Sequence, residues 1–110
     1  MANRTCTHGS AAPVEILENL HISQAGIRNR VLIWRHKCCE CAFVRGEALG
    51  RIQAVVPGGN AECKRTGLRA PLDLLEALPI SQAGGDISRH KCVICALHAG
   101  FEQGRQAAAH

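Results

Sequence analysis

The sequence predicts a small, mainly α fold built from two tandem, pseudo-symmetric repeats, and three observations predict it. The run Arg35-His36-Lys37-Cys38-Cys39-Glu40-Cys41-Ala42 returns as Arg89-His90-Lys91-Cys92-Val93-Ile94-Cys95-Ala96, both R-H-K-C-x-x-C-A, 54 positions apart. Upstream, the stretch 12–26 matches 70–84 at a shift of 58, and Cys6 matches Cys63 at a shift of 57. Downstream, Ala42, Gly46, Gly50 and Arg51 match Ala96, Gly100, Gly104 and Arg105. Self-similarity of this extent marks an internal duplication, with the changes of shift as loop insertions, chiefly 27–34 in the first copy.

The elements follow in order. A lone cysteine, Cys6 or Cys63, sits in a polar, turn-rich stretch. A short helix follows, opened by Pro13 or Pro71, with acidic residues early in it as the helix dipole favours. Its apolar positions Val14, Leu17 and Leu20, or Leu72, Leu75 and Leu78, fall on one face at helical spacing. A Ser-Gln-Ala-Gly turn ends this part, and in the first copy Val31-Leu32-Ile33-Trp34 reads as a short buried strand. A second helix starts at or within the C-x-x-C and runs to about Val55 or Ala109. The break at Pro57-Gly58-Gly59-Asn60 divides the chain into a repeat over 1–56, a linker over 57–62 and a repeat over 63–110, expected to pack as one unit. Both second helices carry A-x-x-x-G-x-x-x-G. Small residues four apart let another backbone approach, so Ala42/Gly46/Gly50 and Ala96/Gly100/Gly104 are expected to pack against each other or against their own first helices. Glycines kept only to clear the cysteine loop are the plainer reading.

The 110 residues include only Trp34, Phe43 and Phe101 as aromatics. Repeats of about 50 residues with so thin a core usually need a staple. The seven cysteines supply it. The N-terminus has no apolar stretch of a secretory signal, and no run reaches membrane-spanning length, so a cytoplasmic setting without membrane contact is expected. Disulfides do not persist there, and an odd count leaves one thiol over. C-x-x-C with a histidine two residues upstream instead offers soft and borderline donors for tetrahedral zinc.

The assignment that uses every repeated ligand once is Cys6, His36, Cys38 and Cys41 for one zinc, and Cys63, His90, Cys92 and Cys95 for a second. Each is a closed Cys3His set, hence structural. His8, His98 and Cys39 stand opposite Arg65, Val44 and Val93 and are read as non-ligands, although His98 is placed to substitute for His90. Sets of three cysteines with an unseen fourth ligand, and a crossed use of Cys6 and Cys63, are also allowed. With both ions bound, the formal charge of +4 falls to about +2.

A C-x-x-C at a helix N-terminus completed by an upstream cysteine resembles the treble-clef group of zinc fingers, over about half of each repeat. It departs from that pattern in having one upstream cysteine instead of a C-x-x-C. The R-H-K-C-x-x-C-A-x-x-x-G string is also similar to zinc-binding segments that accompany HNH-type nucleases and restriction or DNA-processing proteins.

The leading functional expectation is duplex DNA binding without catalysis. Arg35, Lys37, Arg89 and Lys91 bracket the expected ligand histidines near a helix N-terminus, and Arg28 and Arg30 add charge suited to phosphate or guanine. Gln24 and Gln82 in the Ser-Gln-Ala-Gly turns are placed to read adenine; a plain capped turn is the simpler account of them. The alternative is a zinc-scaffold protein-interaction module (adaptor, subunit or inhibitor), a homodimer included. A degenerate HNH-like nuclease component comes third: Asn29 and His36 lie close together, but no His-His segment follows the C-x-x-C. The His-x-Glu of zinc deaminases is missing as well. Scarce aromatics argue against single-stranded nucleic acid.

Overall fold

The computed structural model describes residues 2–22, 37–52, 55–80 and 91–109. The expected Ser-Gln-Ala-Gly turns and the expected strand at 31–34 lie outside these residues. Each half begins with a two-stranded antiparallel hairpin. In the first, β1 (Asn3–Thr5) pairs with β2 (Ala11–Pro13), Arg4 opposite Ala12; in the second, β3 (Ala61–Glu62) pairs with β4 (Arg69–Ala70). The sequence alone places these segments in turns and linker. Strands of two or three residues carry no alternation to detect. With the hairpins, the fold is a small α/β globule in which helix still predominates.

The hairpin turns present the lone cysteines. Gly9 (φ 88°) and Gly67 (φ 77°) take the left-handed conformation that glycine adopts without steric cost. Their N–H groups donate to the carbonyls of Cys6 and Cys63 at 3.0 and 2.7 Å. Each cysteine is thereby held at the base of a tight loop, which its own N–H closes by donating to the Ser10 or Leu68 carbonyl, and its sulfur is turned toward the same half's second helix.

The short helices α1 (Val14–Asn19) and α3 (Leu72–Ala77) follow directly, with Pro13 and Pro71 extended at their N-caps. Leu17, Leu20, Leu75 and Leu78 are buried, as the helical spacing requires. The long helices are α2 (Cys39–Arg51) and α4 (Val93–Ala108), capped by Cys38 and Cys92 in extended conformation. No helix among the described residues is long and apolar enough to cross a membrane.

The expected small-residue seam joins α2 to α4. A Cβ added to Gly46 would lie 1.9 Å from the Leu97 carbonyl oxygen, and one on Gly100 would lie 2.0 Å from that of Phe43. One turn on, an added Cβ on Gly50 would lie 2.1 Å from the Phe101 carbonyl oxygen, and one on Gly104 would lie 2.1 Å from that of Glu47. The partners advance in step, so the helices run side by side in the same direction. The contacts are also reciprocal, each being the other's image at the 54-residue shift. Ala42, Ala96, Phe43 and Phe101 are buried along this seam.

The halves are joined a second time, at the ends of the short helices. The N–H of Cys92 donates to the His21 carbonyl at 3.0 Å, and that of Cys38 to the Pro79 carbonyl at 2.8 Å. Bridges pair Ile22 with Lys91 and Ile80 with Lys37. The Lys91 ammonium donates to the carbonyls of Glu18 and Leu20 at 3.3 and 2.6 Å, and that of Lys37 to Glu76 and Leu78 at 2.9 and 2.8 Å. Each lysine thus caps the other half's short helix, where the dipole is negative. The sequence places these two lysines for phosphate; in the structure they are engaged between the repeats.

Because the seam meets backbone that cannot rotate away, Gly46→Ala or Gly100→Ala should lower stability in urea unfolding by at least about 2 kcal/mol. Gly58→Ala, where nothing lies within 4 Å of an added Cβ, should change it by less than about 1 kcal/mol. Equal effects at the three positions would contradict the seam.

Candidate metal centres

Two groups of four donor atoms stand within 4.8 Å of one another: Cys6, His8, Cys38 and Cys41, and His21, Cys63, Cys92 and Cys95. The local backbone explains the cysteine part. Cys38 and Cys92 are extended at the helix N-caps, while Cys41 and Cys95 stand in the first turn, where the N–H of Ala42 and Ala96 donates to the carbonyl of Cys38 and Cys92 at 3.0 and 3.1 Å. That turn brings both sulfurs of each C-x-x-C to one side, and the hairpin loop delivers the third.

The distances have the lengths of coordination-tetrahedron edges. With Zn–S of about 2.3 Å and Zn–N of about 2.0 Å, a tetrahedron has edges of about 3.8 Å between sulfurs and about 3.5 Å between sulfur and nitrogen. In the first group, Cys6 Sγ lies 3.8 Å from Cys41 Sγ, and His8 Nδ1 lies 3.4 and 3.6 Å from those two sulfurs. In the second, Cys95 Sγ lies 3.6 Å from Cys63 Sγ, with His21 Nε2 at 3.3 Å from Cys63 and 3.4 Å from Cys95. Each group can hold one metal ion, and thiolate with imidazole suits zinc or another borderline-soft cation.

Surrounding groups orient these donors. Ser10 Oγ donates to Cys41 Sγ at 3.3 Å, the Thr66 hydroxyl lies 3.4 Å from Cys95 Sγ, and the His8 N–H donates to Cys6 Sγ at 3.3 Å. His21 Nδ1 lies 2.9 Å from the Ile22 carbonyl oxygen. An N–H there leaves the Nε2 lone pair facing the sulfurs, the arrangement metal-binding histidines generally use.

Taken as bare side chains, the thiols titrate unequally. The hydrogen bond donated by Cys92 brings Cys95 down to about 5; burial opposes this, while Thr66, Cys63 and His21 assist it. Cys92 is pushed far up by that same bond and by burial. Burial likewise raises Cys38 and Cys41. At Cys6 burial is outweighed by hydrogen bonds from Ser10 and His8, and the thiol sits at about 7. Metal binding must displace the protons of the raised thiols, so affinity climbs with pH and acid releases the metal.

The six repeated cysteines therefore gather as the spacing implied, each serving its own repeat. The expected fourth ligands His36 and His90 lie outside the described residues; among the described residues the histidines beside the sulfurs are His8, read from the sequence as a non-ligand, and His21, to which the sequence assigns no ligand role. Of the other two set aside, His98 Nε2 lies 2.6 Å from the Arg69 carbonyl oxygen, and buried Cys39 has its sulfur 3.5 Å from the Lys91 carbonyl; neither is in a cluster. All seven cysteines are thiols and none forms a disulfide. A signal for the missed pair exists in the duplication. Position 8 holds histidine where its counterpart is Arg65, and position 21 holds histidine where its counterpart is Pro79.

No protein-family model, curated protein or solved structure matches this chain.

The clusters differ in shelter. In the first, His8 is exposed and Cys6 and Cys41 are half-buried; in the second, all three cysteines are buried and His21 is half-buried. Chelator should therefore strip metal-loaded protein in two phases, the first cluster losing its ion sooner. Cys38→Ser should abolish the fast phase and Cys92→Ser the slow one. A single phase left intact by Cys38→Ser would contradict the difference.

Proposed function

We propose that the protein is a non-enzymatic, zinc-stabilised module that binds duplex DNA. The observation that carries the zinc part is the donor set itself: three sulfurs and one imidazole nitrogen per cluster, with tetrahedral edge lengths. Four protein donors complete the coordination and leave no position for a water nucleophile, which favours a structural role. Each half also has the parts of a treble-clef-like finger, with one cysteine in a hairpin loop and two at the start of a helix.

The DNA part rests on where positive charge is concentrated. Between Glu18 and Glu40 the chain carries no acidic residue but includes Arg28, Arg30 and Arg35 beside the engaged Lys37. This run leads directly into the first C-x-x-C, and Arg89 occupies the corresponding place in the second half. Gln24, Arg28, Arg30, Arg35, Gln82 and Arg89 lie outside the described residues, and they are the proposed contacts. Several cations elsewhere are paired locally: Arg51 with Glu47, Lys64 and Arg69 with Glu62, and Arg105 with Glu102. The acid-free run is thus the strongest candidate for meeting phosphate.

One observation favours the interaction-module reading instead. Ile52, Val55 and Val56 are 73, 90 and 60% exposed beyond the end of α2, apolar surface of the kind that meets protein.

Fluorescence anisotropy with a labelled duplex separates the two. A DNA module making about four phosphate contacts should lose affinity by about 100-fold between 50 and 200 mM salt. Arg28→Ala/Arg30→Ala/Arg35→Ala should flatten the salt slope by about 3. No binding to duplex at low salt would overturn the DNA reading and favour a protein partner.

A further inference from the structure

The two clusters are built from equivalent cysteines and inequivalent histidines. His8 belongs to the same hairpin loop as Cys6, so the first cluster is assembled wholly within residues 6–41. The second takes Cys63, Cys92 and Cys95 from its own repeat but His21 from the other, across 42 positions to Cys63 and 74 to Cys95. We propose that the second cluster is a metal clasp between the repeats: ligation through His21 locks the end of α1 onto the C-x-x-C loop of the second half. This rests on the reading that the clusters bind zinc.

Three observations converge on it. His21 is held at both ends of its residue, its carbonyl accepting from the Cys92 N–H at 3.0 Å and its ring facing Cys63 and Cys95. Backbone and side chain of one residue thus tie repeat one to the loop that presents two of the sulfurs. Next to it, the Lys91 ammonium caps α1 and Ile22 bridges to Lys91. The mirror-image junction repeats every one of these backbone links: Cys38 N–H to the Pro79 carbonyl, Lys37 to the end of α3, Ile80 to Lys37. It lacks the ligand, because proline has no donor to offer. The clasp therefore exists on one side of a two-sided junction.

The duplication makes this arrangement self-consistent. Each cluster has two places from which a histidine can arrive, the hairpin loop of its own repeat or the short-helix end of the other. The first cluster has histidine in the loop and proline at the helix end. The second has Arg65 in the loop and histidine at the helix end. Filling order follows: the first site closes on local contacts, and the second closes only once the repeats have docked.

Zinc counted by native mass spectrometry of the full chain, beside amide hydrogen exchange, tests the clasp. The expected results are two zinc ions in the wild type, one in His21→Ala, and two again in His21→Cys, which restores a donor. In His21→Ala, exchange at the Cys92 amide should accelerate at least tenfold while that at Cys38, in the mirror junction, changes less. His8→Ala should also hold one zinc, yet keep the Cys92 amide protected. Adding Pro79→His to His8→Ala should return the count to two, because position 79 stands toward the first cluster as position 21 does toward the second.

Fewer than two zinc ions in the wild type would overturn the zinc reading itself. Two in the wild type and still two in His21→Ala would overturn the clasp alone and assign the fourth ligand elsewhere. Loss of one zinc in His21→Ala with unchanged Cys92 exchange would leave a second site that does not lock the repeats, and so would also overturn it.

Discussion

Three cysteine sulfurs and an imidazole nitrogen within 4.8 Å of one another are a poor arrangement for bare side chains, because thiolates repel and buried thiols resist ionising. A divalent cation at the centre reverses the balance, turning mutual repulsion into four bonds. The fold is arranged around meeting that condition twice. The hairpins hold one sulfur each in a glycine-dependent loop, and the helix starts hold two. What remains is a thin apolar layer of Leu17, Leu75, Phe43, Ile94 and Leu97, with the α2–α4 seam beside it.

The two joining devices act on different scales. Along the seam, glycine lets backbone meet backbone, and small residues favour close packing without much apolar area. At the short-helix ends the attachment is polar: ammonium groups on helix carbonyls, N–H groups on carbonyls, and at one end an imidazole facing sulfur. Duplicated chains can keep such a junction symmetric. Here the backbone part has stayed symmetric while the ligand part has diverged, one histidine near and one far.

Much of this was legible in the sequence. The repeat, the six cysteines, the apolar faces of the short helices and the glycine seam all follow from spacing, because spacing is what helices and chelate loops constrain. The hairpins were not legible, since strands such as Ala61–Glu62 are too short to show a period. His21 was not, because its sulfur partners lie far along the chain and a histidine at a helix end looks like solvent. Lys37 and Lys91 misled for a related reason: a cation beside a zinc loop suggests phosphate, and only the tertiary arrangement reveals the helix ends they cap. Single residues without counterparts proved as informative as the repeated ones.

On the proposed reading, each cluster binds one zinc through three sulfurs and one imidazole nitrogen. X-ray absorption at the zinc edge of the reduced protein reads that shell. The account predicts an average shell of three sulfurs at about 2.3 Å and one nitrogen at about 2.0 Å, with imidazole scattering beyond. A shell of four sulfurs, or one dominated by oxygen and nitrogen, would contradict it.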